Sequence, residues 1–327
     1  MEKTMFDAQN EVVLYTGSSN KKLAKDISDE LGLRLGNLTI SRFADGEIHV
    51  RINETVRGRD VFLIQPTSEP ANETVMETLI IVDAFKRASA HKINVIMPYY
   101  GYARQDRKSK GREPITAKLV TNLIEAAGAD RVVSVDLHAA QIQGFFDIPF
   151  DHLTARPVIA EYFEKVIEEN NEHDWVVVSP DLGGVTRARL LADVLHLPIA
   201  IIEKFRPRPN ESAVLNVIGE FKGKNCIIID DIIDTAGTIV NAVETLKSEG
   251  AKDVYIAATH GVLSGSALER INNSSVKECI ITDTIFHENI EEENEKITVL
   301  SLAPMIALTI KSIVTYTSVS DIMKDKK

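Results

Sequence analysis

Short apolar runs rich in Val and Ile recur along the chain, separated by longer segments in which apolar positions return every three or four residues. That is the pattern of strands alternating with helices around a mainly parallel sheet. Strands are predicted over 11–15, 60–64, 92–97, 131–135, 175–178, 199–202, 226–229, 253–258 and 278–282. Helices are predicted over 21–31, 75–89, 115–127, 158–168, 187–195 and 238–247. Several strands are apolar throughout, so both faces of their sheet are expected to lie under helices. Gly32, Gly128 and Gly250 each follow a helix and suit C-terminal caps.

The strand signals pause over 150–157, which divides the chain into an N-terminal domain, 1–153, and a C-terminal domain, 154–327. The expected fold class is α/β, with two similar domains, each a mainly parallel sheet flanked by helices. No residue-level repeat links the halves. The acidic stretch HENIEEENEK, 287–296, reads as a solvated loop. The apolar-leaning stretch 297–310 is too short for a membrane span and is interrupted by Ser301, Pro304 and Thr309, so it reads as core.

Composition narrows the function classes. With 327 residues, 44% of them hydrophobic and 26% charged, the chain is long enough for about two domains and is neither disordered nor fibrous in type. Lys and Arg number 37 against 48 Asp and Glu, a net charge of −11, so a polyanion must be met by a local basic cluster. Cys226 and Cys279 form no CxxC pair, which argues against a zinc ribbon or redox dithiol and favours a reducing, cytoplasmic setting. Acidic residues stand where a signal peptide would be basic, so export is not expected.

The most informative stretch is CIIIDDIIDTAGT, 226–238. An apolar strand ends in Asp230 and Asp231, and the short loop Asp234, Thr235, Ala236, Gly237 and Thr238 leads into a helix beginning near Ile239. Ligands of open α/β sheets sit beyond the carboxyl ends of strands, and a glycine-containing loop that opens a helix offers backbone N–H groups to phosphate. The carboxylates would accept hydrogen bonds from sugar hydroxyls or help hold a metal ion, so the constellation reads as a site for a phosphorylated sugar. The plainer reading is a helix capped by Asp234 after a buried strand.

Four other segments carry candidate chemistry. PYYGYARQDRKSKGREP, 98–114, gathers Arg104, Arg107, Lys108, Lys110 and Arg112 beside several tyrosines, which suits a nucleoside triphosphate or else an ordinary solvated loop. RFADGE, 42–47, reads as a hairpin turn. Asp136 and His138 follow the strand 131–135 and are expected to project on one side, a spacing open to a divalent metal or a structural histidine. Lys204 and Arg206 begin KFRPRPN, read as a mobile basic loop suited to charge developing during phosphoryl transfer.

The 226–238 stretch resembles the ribose 5-phosphate loop of type I phosphoribosyltransferases. Within that fold, RFADGE, PYYGYARQDRK, REPITAKL, DLHAAQIQGFFDIP, SPDLGGVTRAR, EKFRPRPN and THGVLSGSALERINNS extend a resemblance to the ribose-phosphate diphosphokinases over nearly the whole chain. The resemblance implies that ATP passes its β,γ-diphosphoryl group to the anomeric hydroxyl of ribose 5-phosphate, for nucleotide biosynthesis, with Mg2+ as cofactor. It assigns Phe43, Asp45, Gly46, Glu47, Arg104 and Gln105 to ATP. It assigns Asp230, Asp231, Asp234, Thr235, Ala236, Gly237, Thr238 and Arg206 to ribose 5-phosphate. His138, Asp136 and Asp181 go to the metal site, and Lys204 and Arg206 to catalysis. It also implies a homohexamer in which the Phe43 loop serves ATP bound mainly by a neighbouring subunit, and no nucleic-acid or membrane partner. The chain departs from the family pattern at Pro66, Leu182, Asp283, Asp321 and Met323. The alternative is a non-catalytic relative that assembles with an active subunit. Such a relative would be expected to lose the Lys and Arg of the catalytic loop or the acids of DDIIDT, all of which stand here.

Overall fold

The computed structural model describes residues 12–170, 174–205 and 214–323. In chain order the first part runs β1 (Val12–Thr16), α1 (Lys21–Leu31), β2 (Leu38–Arg42), β3 (Ile48–Ile52), β4 (Asp60–Ile64), α2 (Ala71–Arg87), β5 (Lys92–Met97), α3 (Thr116–Ala127), β6 (Arg131–Val135) and β7 (Phe150–Leu153). Then follow α4 (Arg156–Asn170), β8 (Trp175–Ser179), α5 (Val185–Leu195), β9 (Ile199–Phe205), β10 (Val214–Ile218), β11 (Asn225–Ile233), α6 (Gly237–Ser248), β12 (Val254–Gly261), α7 (Ala267–Asn272) and β13 (Glu278–Thr282). The chain closes with α8 (Ile290–Glu293), β14 (Ile297–Leu300) and α9 (Ala303–Thr315).

Two compact units result. The first comprises residues 12–154, 284–286 and 301–323; its sheet is parallel, in the order β1-β4-β5-β6-β7. Leu63, Val95 and Val132 of that sheet pack with Phe85 of α2 and Ile124 of α3 in one apolar core. The helix α9 lies against α1, so the last described helix belongs to the unit that begins the chain. The second unit holds residues 155–283 and 287–300 around a sheet in the order β10-β9-β8-β11-β12-β13-β14. It is parallel except for the antiparallel edge pair β9 and β10. Val176, Ile228 and Ile256 meet Val243 and Leu246 of α6 in its core.

Local chemistry sets several boundaries. Asn20 caps α1, its Oδ1 accepting from the Leu23 N–H at 3.0 Å. Gly32 and Gly128 end α1 and α3 in the left-handed conformation that glycine adopts without steric cost.

Each predicted strand and helix is present, with ends moved by a few residues. Among the strands the largest change is β11, which runs to Ile233 because β12 continues beside it, Ile232 opposite His260 and Ile233 opposite Gly261. The stretch 287–296 is not simply a solvated loop: it contains the single turn α8, with Ile290 and Asn294 buried. The stretch 297–310 supplies β14 and much of α9, and it buries Leu302, Ile306 and Ile310 as expected. Among the described residues, no helix is long and apolar enough to cross a membrane.

Candidate active site

In the second unit, β11 pairs with β8 only over 225–228 and continues beside β12 alone. Asp230 and Asp231 therefore lie on the part of the strand that outruns one neighbour, at the carboxyl edge where α/β sheets receive ligands. Arg187 of α5 serves both acids: Nη1 is 2.7 Å from Asp230 Oδ1 and Nη2 is 3.0 Å from Asp231 Oδ1. The Asp231 N–H also donates to Asp230 Oδ1 at 2.8 Å. Burial and the neighbouring Asp231 push the Asp230 carboxyl well above the usual carboxylate range, and Arg187 offsets part of that rise.

The loop after β11 turns directly into α6. Its first helical residue is Gly237, and the cap position is Ala236, in the left-handed region at φ 59°, with no side-chain hydrogen bond to the helix end. Asp234 is thus not the cap. The N–H groups of the first turn remain for an acceptor from outside, at the positive end of a twelve-residue helix. A Cβ built on Gly237 would meet no protein atom closer than 3.5 Å. The nearest atoms are Arg270 Nη1 at 3.5 Å and Thr235 Oγ1 at 3.9 Å, so the fold itself leaves space for a side chain there.

In the first unit, RFADGE joins β2 to β3. The Phe43 N–H donates to the Glu47 carbonyl at 2.9 Å, which closes a three-residue loop of Ala44, Asp45 and Gly46. Gly46 has φ 96°, the positive value that such a loop requires at its last position. Glu47 N–H donates to Asp45 Oδ1 at 3.2 Å, and Phe43 at the loop is 55% exposed. The Phe43 ring leans on the His49 ring, centroids 5.1 Å apart, and leaves its other face to solvent as a contact surface on a closed turn.

The 98–114 segment corrects one expectation. Tyr99 and Tyr100 are buried, and the Tyr100 hydroxyl bonds to the Ala117 carbonyl at 3.0 Å and Thr121 Oγ1 at 2.9 Å. Those rings fill the core and do not face a base. Arg104 and Gln105 are exposed, and Gln105 Oε1 accepts from Thr116 Oγ1 at 2.6 Å, fixing it against the start of α3. The Gly101 N–H donates to Thr67 Oγ1 at 2.7 Å, and a Cβ at Gly101 would lie 2.4 Å from the Thr67 carbonyl oxygen. Only glycine lets the segment approach so closely.

Asp136 has φ 37°, so the alternation of β6 ends there and strand periodicity no longer says whether Asp136 and His138 share a side. His138 is exposed and Asp136 half-buried. Asp181, also exposed, follows β8 in the second unit and accepts from the Gly184 N–H at 2.7 Å. Among the described residues no group of three or more His, Cys, Asp or Glu forms a cage for a metal. The backbone of Lys204 lies in β9, opposite Leu215, rather than in a loop. Arg206 lies outside the described residues.

Sequence reading missed Arg187, which sits inside a quoted motif yet carries no signal of its own: its link to Asp230 spans 43 positions. It missed Arg270 for the same reason; Nη1 of this α7 residue donates to the Thr235 carbonyl at 2.7 Å.

Comparisons with known proteins agree along the chain. Residues 12–128 match the family model described as the N-terminal domain of ribose phosphate pyrophosphokinase, and residues 204–324 match the phosphoribosyl synthetase-associated domain. A ribose-phosphate pyrophosphokinase of Clostridium tetani is 57% identical over 316 residues, 97% of this chain and 98% of its own. One of Bacillus subtilis is 56% identical over 294 residues, 90% of this chain and 91% of its own. The crystal structure of phosphoribosylpyrophosphate synthetase from Mycobacterium smegmatis superposes with a TM-score of 0.86 at 46% identity, covering 93% of this chain and 98% of that one.

Proposed function

The chain belongs to the ribose-phosphate pyrophosphokinase family, and from that premise we propose how its own residues carry the reaction. The enzyme transfers the β,γ-diphosphoryl group of ATP to the anomeric hydroxyl of ribose 5-phosphate, giving 5-phosphoribosyl 1-diphosphate and AMP. The observation that carries the assignment of roles is the end of β11, where a paired acid cluster bound by Arg187 runs straight into a loop that opens α6.

In this reading the N–H groups of 234–238 and the dipole of α6 receive the 5-phosphate. Asp230 and Asp231 accept hydrogen bonds from the ribose hydroxyls, which orients the anomeric oxygen for attack. Arg104 and Gln105, together with the Phe43 to Glu47 turn, hold ATP. Lys204 and Arg206 bring positive charge to the phosphoryl oxygens in the transition state, where positioning and electrostatic stabilisation supply most of the acceleration.

Magnesium fits the residues present, although not as a caged ion. It prefers oxygen ligands and retains waters, and it is commonly held by one or two carboxylates plus substrate phosphates. Exposed Asp181 in the second unit is one carboxylate of that kind, and half-buried Asp136 in the first, with His138 nearby in sequence, is another; three-ligand cages are absent among the described residues. When bound, magnesium supplies charge neutralisation of the triphosphate.

The exposed face of the Phe43 turn suits contact with a neighbouring subunit, whose ATP site this loop would complete in the homohexamer that the family resemblance implies. Two buried, unpaired cysteines suit a cytoplasmic enzyme. The deciding assay is AMP release from ATP with and without ribose 5-phosphate. Release that requires the sugar is the expected result. ATP turnover indifferent to the sugar, or no turnover at all, would overturn the reading, the second in favour of a non-catalytic assembly partner.

A further inference from the structure

Three consecutive carbonyls, from the last residue of β11 into the loop after it, face one segment of the fold. Those of Ile233 and Asp234 accept from the Leu263 and Ser264 N–H groups, each at 3.0 Å, and that of Thr235 accepts from Arg270 Nη1 at 2.7 Å. A trans peptide unit is planar, with its N–H pointing opposite its C=O. Holding these carbonyls toward 263–270 therefore turns the N–H groups of Asp234, Thr235 and Ala236 to the opposite side, as a row of donors.

The first two anchors are backbone amides, which among the ordinary substitutions only proline removes. The third is a side chain, and it acts where the chain is strained. Ala236 is a non-glycine residue at φ 59°. A flip of the peptide between Thr235 and Ala236 would carry that φ toward ordinary negative values, relieving the strain and pointing the Ala236 N–H away from its neighbours. Such a flip requires the Thr235 carbonyl to leave Arg270.

We propose that Arg270 is a positioning residue for the 5-phosphate of the sugar substrate: its guanidinium locks the Thr235 carbonyl and thereby keeps the Ala236 N–H in the phosphate-facing row. Arg270 acts through the loop and needs no contact with the reacting atoms. The inference rests on the assignment of this loop to ribose 5-phosphate, and it adds the device that holds the loop in its receiving form.

The test compares Arg270→Ala and Arg270→Lys with the unaltered enzyme, by steady-state kinetics, calorimetric binding of ribose 5-phosphate and thermal unfolding. Loss of one charge-assisted hydrogen bond at a binding loop corresponds to about a 10- to 100-fold rise in KM and Kd for ribose 5-phosphate in Arg270→Ala. KM for ATP should stay within about twofold, Arg270→Lys should recover part of the loss, and added guanidinium should partly rescue Arg270→Ala but not the unaltered enzyme. Equal rises in both KM values with a lower unfolding temperature would reduce Arg270 to a structural role and overturn the proposal. Unchanged sugar binding in Arg270→Ala would overturn it too, while leaving the loop assignment intact. If the unaltered enzyme itself fails to bind ribose 5-phosphate, the assignment of the loop is what fails.

Discussion

The guanidinium of Arg187 lies 2.7 Å from the carboxylate of Asp230, a group that burial and Asp231 would otherwise keep protonated. Asp230 must be ionised to accept from two sugar hydroxyls at once, so kcat/KM for ribose 5-phosphate should rise with pH as its proton leaves. Arg187 favours the ionised form, and removing it raises the carboxyl further. In Arg187→Met the acidic limb of the profile should move to higher pH by about one unit. A limb that stays in place would separate Arg187 from the titration. The same raised carboxyl makes the folded chain bind this proton more tightly than the unfolded one, so this group's contribution to stability is present at low pH and lost as pH rises through its folded value.

Lys204→Ala should lower kcat by about two or more orders of magnitude while changing KM for ATP little, because a charge used only in the transition state does not contribute to ground-state binding. Steady-state kinetics at saturating ATP measures this directly. An unchanged kcat would remove Lys204 from the chemistry.

Gly237→Ala tests whether the space at the start of α6 is kept for a ligand. The new methyl meets no protein atom closer than 3.5 Å, and alanine favours a helix over glycine, so thermal stability should hold or rise slightly. Affinity for ribose 5-phosphate should fall about tenfold or more as the methyl occupies the approach of the phosphate. Calorimetric titration would show it; undiminished affinity would place the phosphate elsewhere.

Gly101→Ala should behave in the opposite way. Its methyl would press against the Thr67 carbonyl oxygen at 2.4 Å, and a backbone atom cannot swing aside as a side chain can. Overpacking of this kind costs about 1–3 kcal/mol, read in denaturant unfolding, and it should displace Arg104 and raise KM for ATP. A variant as stable as the parent would mean that the backbone yields easily there.

Chelation of divalent cations should abolish AMP formation, with magnesium restoring it, yet leave the unfolding temperature of the nucleotide-free protein unchanged. The described residues contain no cluster able to act as a structural metal cage. A fall in unfolding temperature on chelation would point to a structural ion.

The alternation of strands and helices was legible because buried parallel strands print unbroken apolar runs such as CIII before Asp230 and VVV in β8. The strands β7, β10 and β14 escaped because each mixes polar residues into a run of only four or five positions, which leaves no unbroken apolar run to read. The site was legible where its chemistry is contiguous, as in 230–238, and illegible where it is assembled from afar. Arg187 and Arg270 join their partners across 43 and 35 positions, and one basic residue on a helix carries no local mark of such a contact. Tyr99 and Tyr100 misled because an aromatic next to arginines gives no sign whether its ring faces solvent or core. At Asp136, strand periodicity was carried one residue past the point where a left-handed backbone ends it.

The return of α9 to α1 has a consequence for biosynthesis. A chain emerging from the ribosome exposes β1 to β7 first, but the surface of α1 that α9 covers stays open until the polymer has been made past residue 315. The stretch 155–300 carries nearly all of the second unit and is complete before that moment. The part of the enzyme translated first is thus the last able to finish folding, and a ribosome that stalls shortly before α9 would leave α1 uncovered beside a completed second unit.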